Sequence, residues 1–248
     1  SAYFKLSHND EDGRLVAVFS RQNGSAQEPL GLSRAEFTAD PFQTTAVAKT
    51  FNTRKSSEQN QLGFAWEHAL GGGHRLEWMA YGGERQVRQF QAIPPAAQTA
   101  PTSAGGVIDL QRDYGGTNAR WRFERSLAEG RLSASAGVAY DRQKEWRRGF
   151  ENFLGTAAAP TALGVQGALR RDENNTASTL DPYAQLAWES ARWTLSAGVR
   201  HSTVRFDSRD HYVTARNPDD SGASRYSGTM PVLGLRYRLS DALQLYAS

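Results

Sequence analysis

The sequence predicts an all-β fold, an antiparallel up-and-down meander of about ten strands that is part of a transmembrane β-barrel. Apolar and polar residues alternate over segments of about ten residues, longer than the ~5–6 usual for soluble strands. Short turns and long polar connections follow one another strictly, as in a barrel with tight turns at one end and loops at the other. No apolar run approaches the ~18–20 residues that a spanning helix needs.

The strands pair around short turns. Residues 3–9 and 14–21 flank Asp10–Gly13, and residues 58–69 and 75–88 flank Leu70–Gly73. Residues 116–126 and 131–145 flank a turn ending at Gly130. Residues 181–189 and 192–206 flank Ser190 and Ala191, and residues 226–239 and 242–248 flank Ser240 and Asp241. Gly, Asp and Ser supply the positive φ angles or local hydrogen bonds that tight hairpins require. The long connections are 22–57, 89–115, 146–180 and 207–225, rich in Pro, Gly, Asn and Ala. Loops beyond ~15 residues are uncommon in compact domains and usually functional.

Side-chain parity assigns the faces. Leu62, Phe64 and Trp66 share one side of their strand, with Gln61, Gly63 and Glu67 opposite. Leu132, Ala134, Ala136, Val138 and Tyr140 oppose Ser133, Ser135, Gly137 and Asp141. Trp193, Leu195, Ala197 and Val199 oppose Thr194, Ser196, Gly198 and Arg200, and Leu233, Leu235 and Tyr237 oppose Gly234 and Arg236. Trp66, Trp78, Trp188, Trp193 and Tyr237 lie near the short turns, where amphipathic rings favour a headgroup boundary. A soluble β-sandwich or propeller, that is, a soluble β-rich binding module, would also alternate. Strand length and the arginines, glutamates and glycines of the polar faces favour lipid on one side and water on the other.

Composition narrows the class. The 248 residues are 39% hydrophobic, with a formal net charge of +3. Mean hydropathy is -0.62, too polar for a helical membrane bundle but compatible with strands that turn only alternate residues to lipid. There is no cysteine, hence no disulfide scaffold and no thiolate-bound metal. The 29 basic and 26 acidic residues are interspersed without a basic stripe, which argues against a nucleic-acid partner.

Nothing marks an enzyme or a cofactor. His8, His68, His74, His201 and His211 form no metal-ligand spacing. His211 lies near Asp207 and Asp210, and Asp219 and Asp220 are adjacent, but both segments read as solvated turns. No nucleophile motif and no phosphate loop in a strand-to-helix setting is present, so the reading is no catalytic residue, no metal and no cofactor.

Several blocks resemble one family, the TonB-dependent outer-membrane receptors, and within it the YncD-like, or PqqU-like, group. They are FNTRKSSEQNQLG from Phe51, YGGERQVRQFQAIP from Tyr81, AGGVIDLQRDYGG from Ala104 and RRGFENF from Arg147. GALRRDENN from Gly167, DPYAQLAW from Asp181, DDSG from Asp219 and LSDALQLYAS from Leu239 complete the set. The resemblance covers nearly the whole chain and is densest in the long loops. It implies a transporter of the Gram-negative outer membrane that takes up a small anionic ligand, with pyrroloquinoline quinone the candidate. A ferric siderophore or other metal chelate is the alternative cargo.

Family members begin with a plug domain that contacts the TonB complex and end on a strand with a terminal aromatic. Neither is recognisable here, so residues 1–248 are expected to be the central part of a larger barrel. Open sheet edges are unfavourable in lipid, so the chain is expected to curl into a smaller closed barrel or to self-associate with a second copy. The resemblance also directs attention to Arg85, Arg88, Arg147, Arg148, Arg170 and Arg171, at strand tops or in loops within the matching blocks. Their guanidinium groups would pair bidentately with ligand carboxylates, and Gln89, Phe90 and Tyr81 would add hydrogen bonds or stacking. Lipopolysaccharide phosphates and ion pairs with Glu84, Glu151 and Asp172 are the competing partners for those arginines.

Overall fold

A computed structural model describes residues 1–248. Ten strands make one antiparallel sheet in chain order. They are β1 (Ala2–Asn9), β2 (Gly13–Gln27), β3 (Arg54–Gly71), β4 (His74–Phe90), β5 (Val107–Leu127) and β6 (Gly130–Phe150), followed by β9 (Leu169–Ser190), β10 (Trp193–Asp210), β11 (Gly222–Arg238) and β12 (Gln244–Ala247). A small hairpin, β7 (Phe153–Gly155) with β8 (Pro160–Leu163), sits in the connection between β6 and β9. The connection between β2 and β3 carries two short helices, α1 (Arg34–Ala39) and α2 (Ala46–Thr50). No helix is long and apolar enough to cross a membrane.

The expected hairpins all form, because the short turns carry the chemistry that closes them. Asp10 Oδ1 accepts from the backbone N–H groups of Asp12 and Gly13, at 3.0 and 2.6 Å. Gly71, Gly72 and Gly73 all adopt positive φ. The strands run further toward the loops than the alternation indicates. β5 begins at Val107 rather than 116, and β9 at Leu169 rather than 181.

Register aligns the apolar residues into one band. Leu15, Trp66, Trp78 and Ala119 are successive cross-strand neighbours, as are Leu132, Trp188, Leu195 and Leu235. These side chains meet no second layer. Leu195 and Val199 are each 45% exposed, Leu233 71% and Leu235 41%. Only 15 of 248 residues are buried, so the chain has no sealed core and the soluble-module reading fails. Ring pairs line the short-turn edge of the band. Trp193 and Tyr237 lie 4.3 Å apart between centroids, and Trp78 Nε1 donates to Thr117 Oγ1 at 2.9 Å. Such rings, half apolar and half hydrogen-bonding, suit the margin of a hydrocarbon layer.

The sheet does not close on itself. β1 and β12 are its edges and are not paired with each other, so of the two expected arrangements, a smaller closed barrel or pairing with a second copy, the first does not form.

At the loop end, the connections pack into a compact cap. Phe90, Val107 and Phe150 form its small core. The Phe51 carbonyl approaches Gly164, and Arg54 Nη1 donates to the Gly164 carbonyl at 3.2 Å, joining the first connection to the third.

Candidate functional site

The polar face of β3–β9 forms a concave wall with a cavity of about 480 Å³, lined by Gln61, Tyr81, Arg85, Arg112, Tyr114 and Asp141 among others. Its floor comes from a repeated tripeptide. Tyr-Gly-Gly occurs at 81–83 in β4 and at 114–116 in β5. The antiparallel register sets Tyr81 opposite Gly116 and Tyr114 opposite Gly83. Each ring lies across the glycine facing it. A Cβ on Gly116 would fall 2.8 Å from the Tyr81 ring, and one on Gly83 would fall 2.9 Å from Cζ of Tyr114. Only glycine permits this approach. The rings stand 6.3 Å apart at 48°. Tyr81 Oη donates to Asp141 Oδ1 at 2.5 Å, and Tyr114 Oη donates to Gln61 Oε1 at 2.9 Å. Both phenols are thus fixed by neighbouring strands.

Above the tyrosines, Arg85 and Arg112 are direct cross-strand neighbours. Like charges so placed repel unless paired. Arg112 is neutralised by Glu145, which its Nε reaches at 3.1 Å. Arg85 has no carboxylate partner, and its Nε is buried without a hydrogen bond. Arg147, one lumenal position beyond Glu145 on β6, also lacks one, since the β6 ion pairs use Arg131, Glu145 and Arg148.

The arginines singled out from the sequence divide between the two sides of the sheet. Arg85, Gln89, Arg147 and Arg171 face the same side as Tyr81, which is the lumen if the apolar band faces lipid. Gln89 Nε2 is held by both carboxylate oxygens of Glu28, at 3.0 and 2.9 Å, and Arg171 by Glu173 at 2.9 Å. Arg88 and Arg148 face outward. Arg148 pairs with Asp109 at 2.9 Å and lies 4.0 Å over the Trp146 ring. Phe90 belongs to the cap core, with the Arg54 guanidinium 3.5 Å from its centroid. Arg170 ties loops together, donating to the Ala100 carbonyl at 2.6 Å and pairing with Glu151 at 3.5 Å. Consecutive strand residues point to opposite faces, so Arg147 and Arg148 cannot share one ligand.

Tyr114, Arg112, Asp141 and Glu145 were not singled out from the sequence, although the repeated Tyr-Gly-Gly was a signal for the first of them. Nearer the short turns the same face carries a denser ion network, in which Glu77 is shared by Arg120 and Arg122. No three His, Asp or Glu side chains lie close enough to hold a metal ion together. Asp219, in the β10–β11 turn, accepts from the Ser221 N–H at 2.9 Å, a plain Asx turn.

Comparison with known proteins bears on this wall. The family model for "TonB dependent receptor-like, beta-barrel" matches residues 2–248. The ferric citrate transporter FecA, in its unliganded form, superposes with a TM-score of 0.70 at 16% identity, covering 96% of this chain and 33% of that one. The siderophore receptor PiuA from Acinetobacter baumannii gives 0.71 at 10% identity, covering 96% and 40%. The ferric preacinetobactin receptor BauA, also from Acinetobacter baumannii, gives 0.68 at 13%, covering 98% and 38%. The chain thus spans well under half the length of each of these solved structures, and at such identities the likeness is one of fold. An outward apolar band, a polar inner wall and a family match over nearly every residue agree, and the chain belongs to the TonB-dependent receptor-like β-barrel family.

Proposed function

We propose that this chain is the barrel wall of an outer-membrane transporter that takes up a small anionic ligand, with pyrroloquinoline quinone the candidate. Members of the family are outer-membrane β-barrels of Gram-negative bacteria and act as transporters and receptors rather than enzymes. In the whole protein, a plug domain would fill the lumen and carry the contact with the TonB complex. The free edges of β1 and β12 would pair with further strands, or with a second copy.

The observation that carries the reading is the pair of unpartnered lumenal guanidinium groups, Arg85 and Arg147, above two fixed phenols. They are two strands apart and one lumenal position apart, about 12 Å at the backbone, so both side chains reach one dianion between them. Bidentate pairing would hold its carboxylates, while Tyr81 and Tyr114 offer aromatic surface to a planar ring. Arg171 and Gln89, already engaged by Glu173 and Glu28, would form the rim.

Isothermal titration of the full-length receptor with pyrroloquinoline quinone tests this. Arg85→Ala and Arg147→Ala should each weaken binding ~10–100-fold, the worth of one charged hydrogen-bonded contact. Outward-facing Arg88→Ala should leave it unchanged. Equal affinities in all four proteins would remove the pair from the site. The second reading, a ferric-siderophore or other metal-chelate receptor, is favoured by what the names of the neighbours say of those proteins. It takes over if ferric citrate binds and the quinone does not.

A further inference from the structure

Three arginines fall in one transverse row on the outward face, just on the loop side of the apolar band. Arg142 on β6 is opposite Ser178 on β9, Ser178 is opposite Arg205 on β10, and Arg205 is opposite Arg225 on β11. The next row toward the short turns is Tyr140, Leu180, Thr203 and Ser227, and beyond it come Val138 and Ala136 of the band. Lys144 stands above Arg142 on the same face, at the margin of an open groove of about 800 Å³ that also takes in Trp146, Asn174 and Thr176. Arg142, Lys144, Arg205 and Arg225 are all exposed.

This row is unfavourable for the protein alone. Arg205 and Arg225 are direct cross-strand neighbours, where like charges repel. The ion pairs of β10 and β11 are Arg200 with Asp181, Arg209 with Asp207 and Arg236 with Glu189, which leaves Arg205 and Arg225 without a carboxylate. Arg142 has none either, although Glu84 and Asp113 line the same groove. Three guanidinium groups without carboxylate partners thus sit at one depth, immediately above side chains that face hydrocarbon, with Lys144 one position further toward the loops and opposite Asp113.

We propose that this row binds the phosphorylated headgroup of a glycolipid in the leaflet surrounding the barrel. A phosphate between Arg205 and Arg225 removes their repulsion and accepts from both guanidinium groups, and Arg142 with Lys144 forms a second anion position about 10 Å away across two strands. Between them Ser178, and beside them Asn174, Thr176 and the carboxylates of the groove, offer partners for sugar hydroxyls. The occupant is a lipid rather than a free anion because the row continues directly from the lipid-facing band, at the depth a headgroup occupies. The inference rests on the reading that this band faces lipid.

The test uses the full-length receptor refolded in lipid-free detergent and titrated with lipid A, with dephosphorylated lipid A and with inorganic phosphate. Lipid A should bind, the dephosphorylated form should bind at least 10-fold more weakly, and millimolar phosphate should not compete. A triple Arg142→Gln, Arg205→Gln, Arg225→Gln variant should lose at least 10-fold in lipid A affinity, and the corresponding triple Lys variant should recover part of it. Unchanged affinity in the Gln variant, equal binding of the dephosphorylated lipid, or displacement by phosphate would overturn the proposal. A full-length receptor that stays soluble without detergent would instead overturn the underlying lipid-facing assignment, so the two failures are distinguishable.

Discussion

The side-chain amide of Gln98 brackets Asn152: its Nε2 donates to Asn152 Oδ1 at 2.6 Å, and its Oε1 accepts the Asn152 backbone N–H at 3.3 Å. Both residues are fully buried. Asn152 Nδ2 also donates to the carbonyls of Gln91 and Ile93, at 2.7 and 3.0 Å, so one side chain joins the connections after β4 and β6. Interlocked amides of this kind order a cap only while every member is satisfied.

Asn152→Ala should therefore remove one acceptor from Gln98 Nε2 and the side-chain donor to the Gln91 carbonyl, while the Ile93 carbonyl keeps its bond from Gln98 Nε2 at 2.7 Å. The expected cost is ~1–3 kcal/mol, confined to the cap. Hydrogen exchange on the full-length receptor should show faster exchange across residues 91–106 and 151–168, with the strands of the band unaffected.

The crossed tyrosines make a second prediction. Gly116→Ala places a methyl group against Asp141 and the Tyr81 ring. Displacing the ring should cost ~1–3 kcal/mol and lower Tm by several degrees. Gly24→Ala on β2, where nothing lies within 4 Å, serves as the control and should be close to neutral.

Lipid exposure is tested by exchanging one side of a strand for the other. Leu195→Arg puts a charge in the apolar band and should cost ~2–4 kcal/mol of folding stability in vesicles. Ser196→Arg, on the opposite face, should be tolerated. Equal costs would mean that the two faces see the same solvent.

A pH effect is expected at α1. Ser33 caps this helix: its backbone N–H donates to Glu36 Oε2 at 2.8 Å, and its hydroxyl accepts from the Glu36 N–H at 3.3 Å. The hydrogen bond from the Ser33 backbone, followed by that from its side chain, holds the Glu36 carboxyl below its ordinary value. A depressed folded-state pKa gives stability that is present above the unfolded value and lost as pH falls through the folded one. The amides of Phe37 and Asp40, bonded to Ser33 and Glu36 carbonyls, should exchange faster relative to their intrinsic rates as pH drops below about 4, the unfolded carboxylate range. In Glu36→Gln that acceleration should vanish.

The meander and its faces were legible because lipid enforces a strict rule on alternate residues, as from Leu132 to Tyr140. Beyond the band that rule lapses while the hydrogen-bond ladder continues. On β5 the pattern inverts, with Ile108 and Leu110 turned inward and Asp109, Gln111 and Asp113 outward, so the segment read as loop. The same lapse hid the upper part of β9. The helices α1 and α2 are too short to leave a periodic trace. The candidate arginines were chosen by type and not by face, since grouping Arg147 with Arg148 ignored the alternation that had identified the strands. The reciprocal Tyr81–Gly116 and Tyr114–Gly83 contacts needed the register, which sequence spacing alone does not fix.

The height of the wall has a mechanical consequence. β5 and β6 have 21 residues each and β9 has 22, a contour of about 70 Å at ~3.3 Å per residue, whereas the apolar band of an outer-membrane barrel is ~25 Å tall. Even after tilt, a stiff wall of paired strands would stand clear of such a bilayer and carry the connections at its rim. On the proposed transporter reading, passage past such a mouth would be governed by whatever stoppers the shaft or rearranges the rim, because the masonry itself has nowhere to bend.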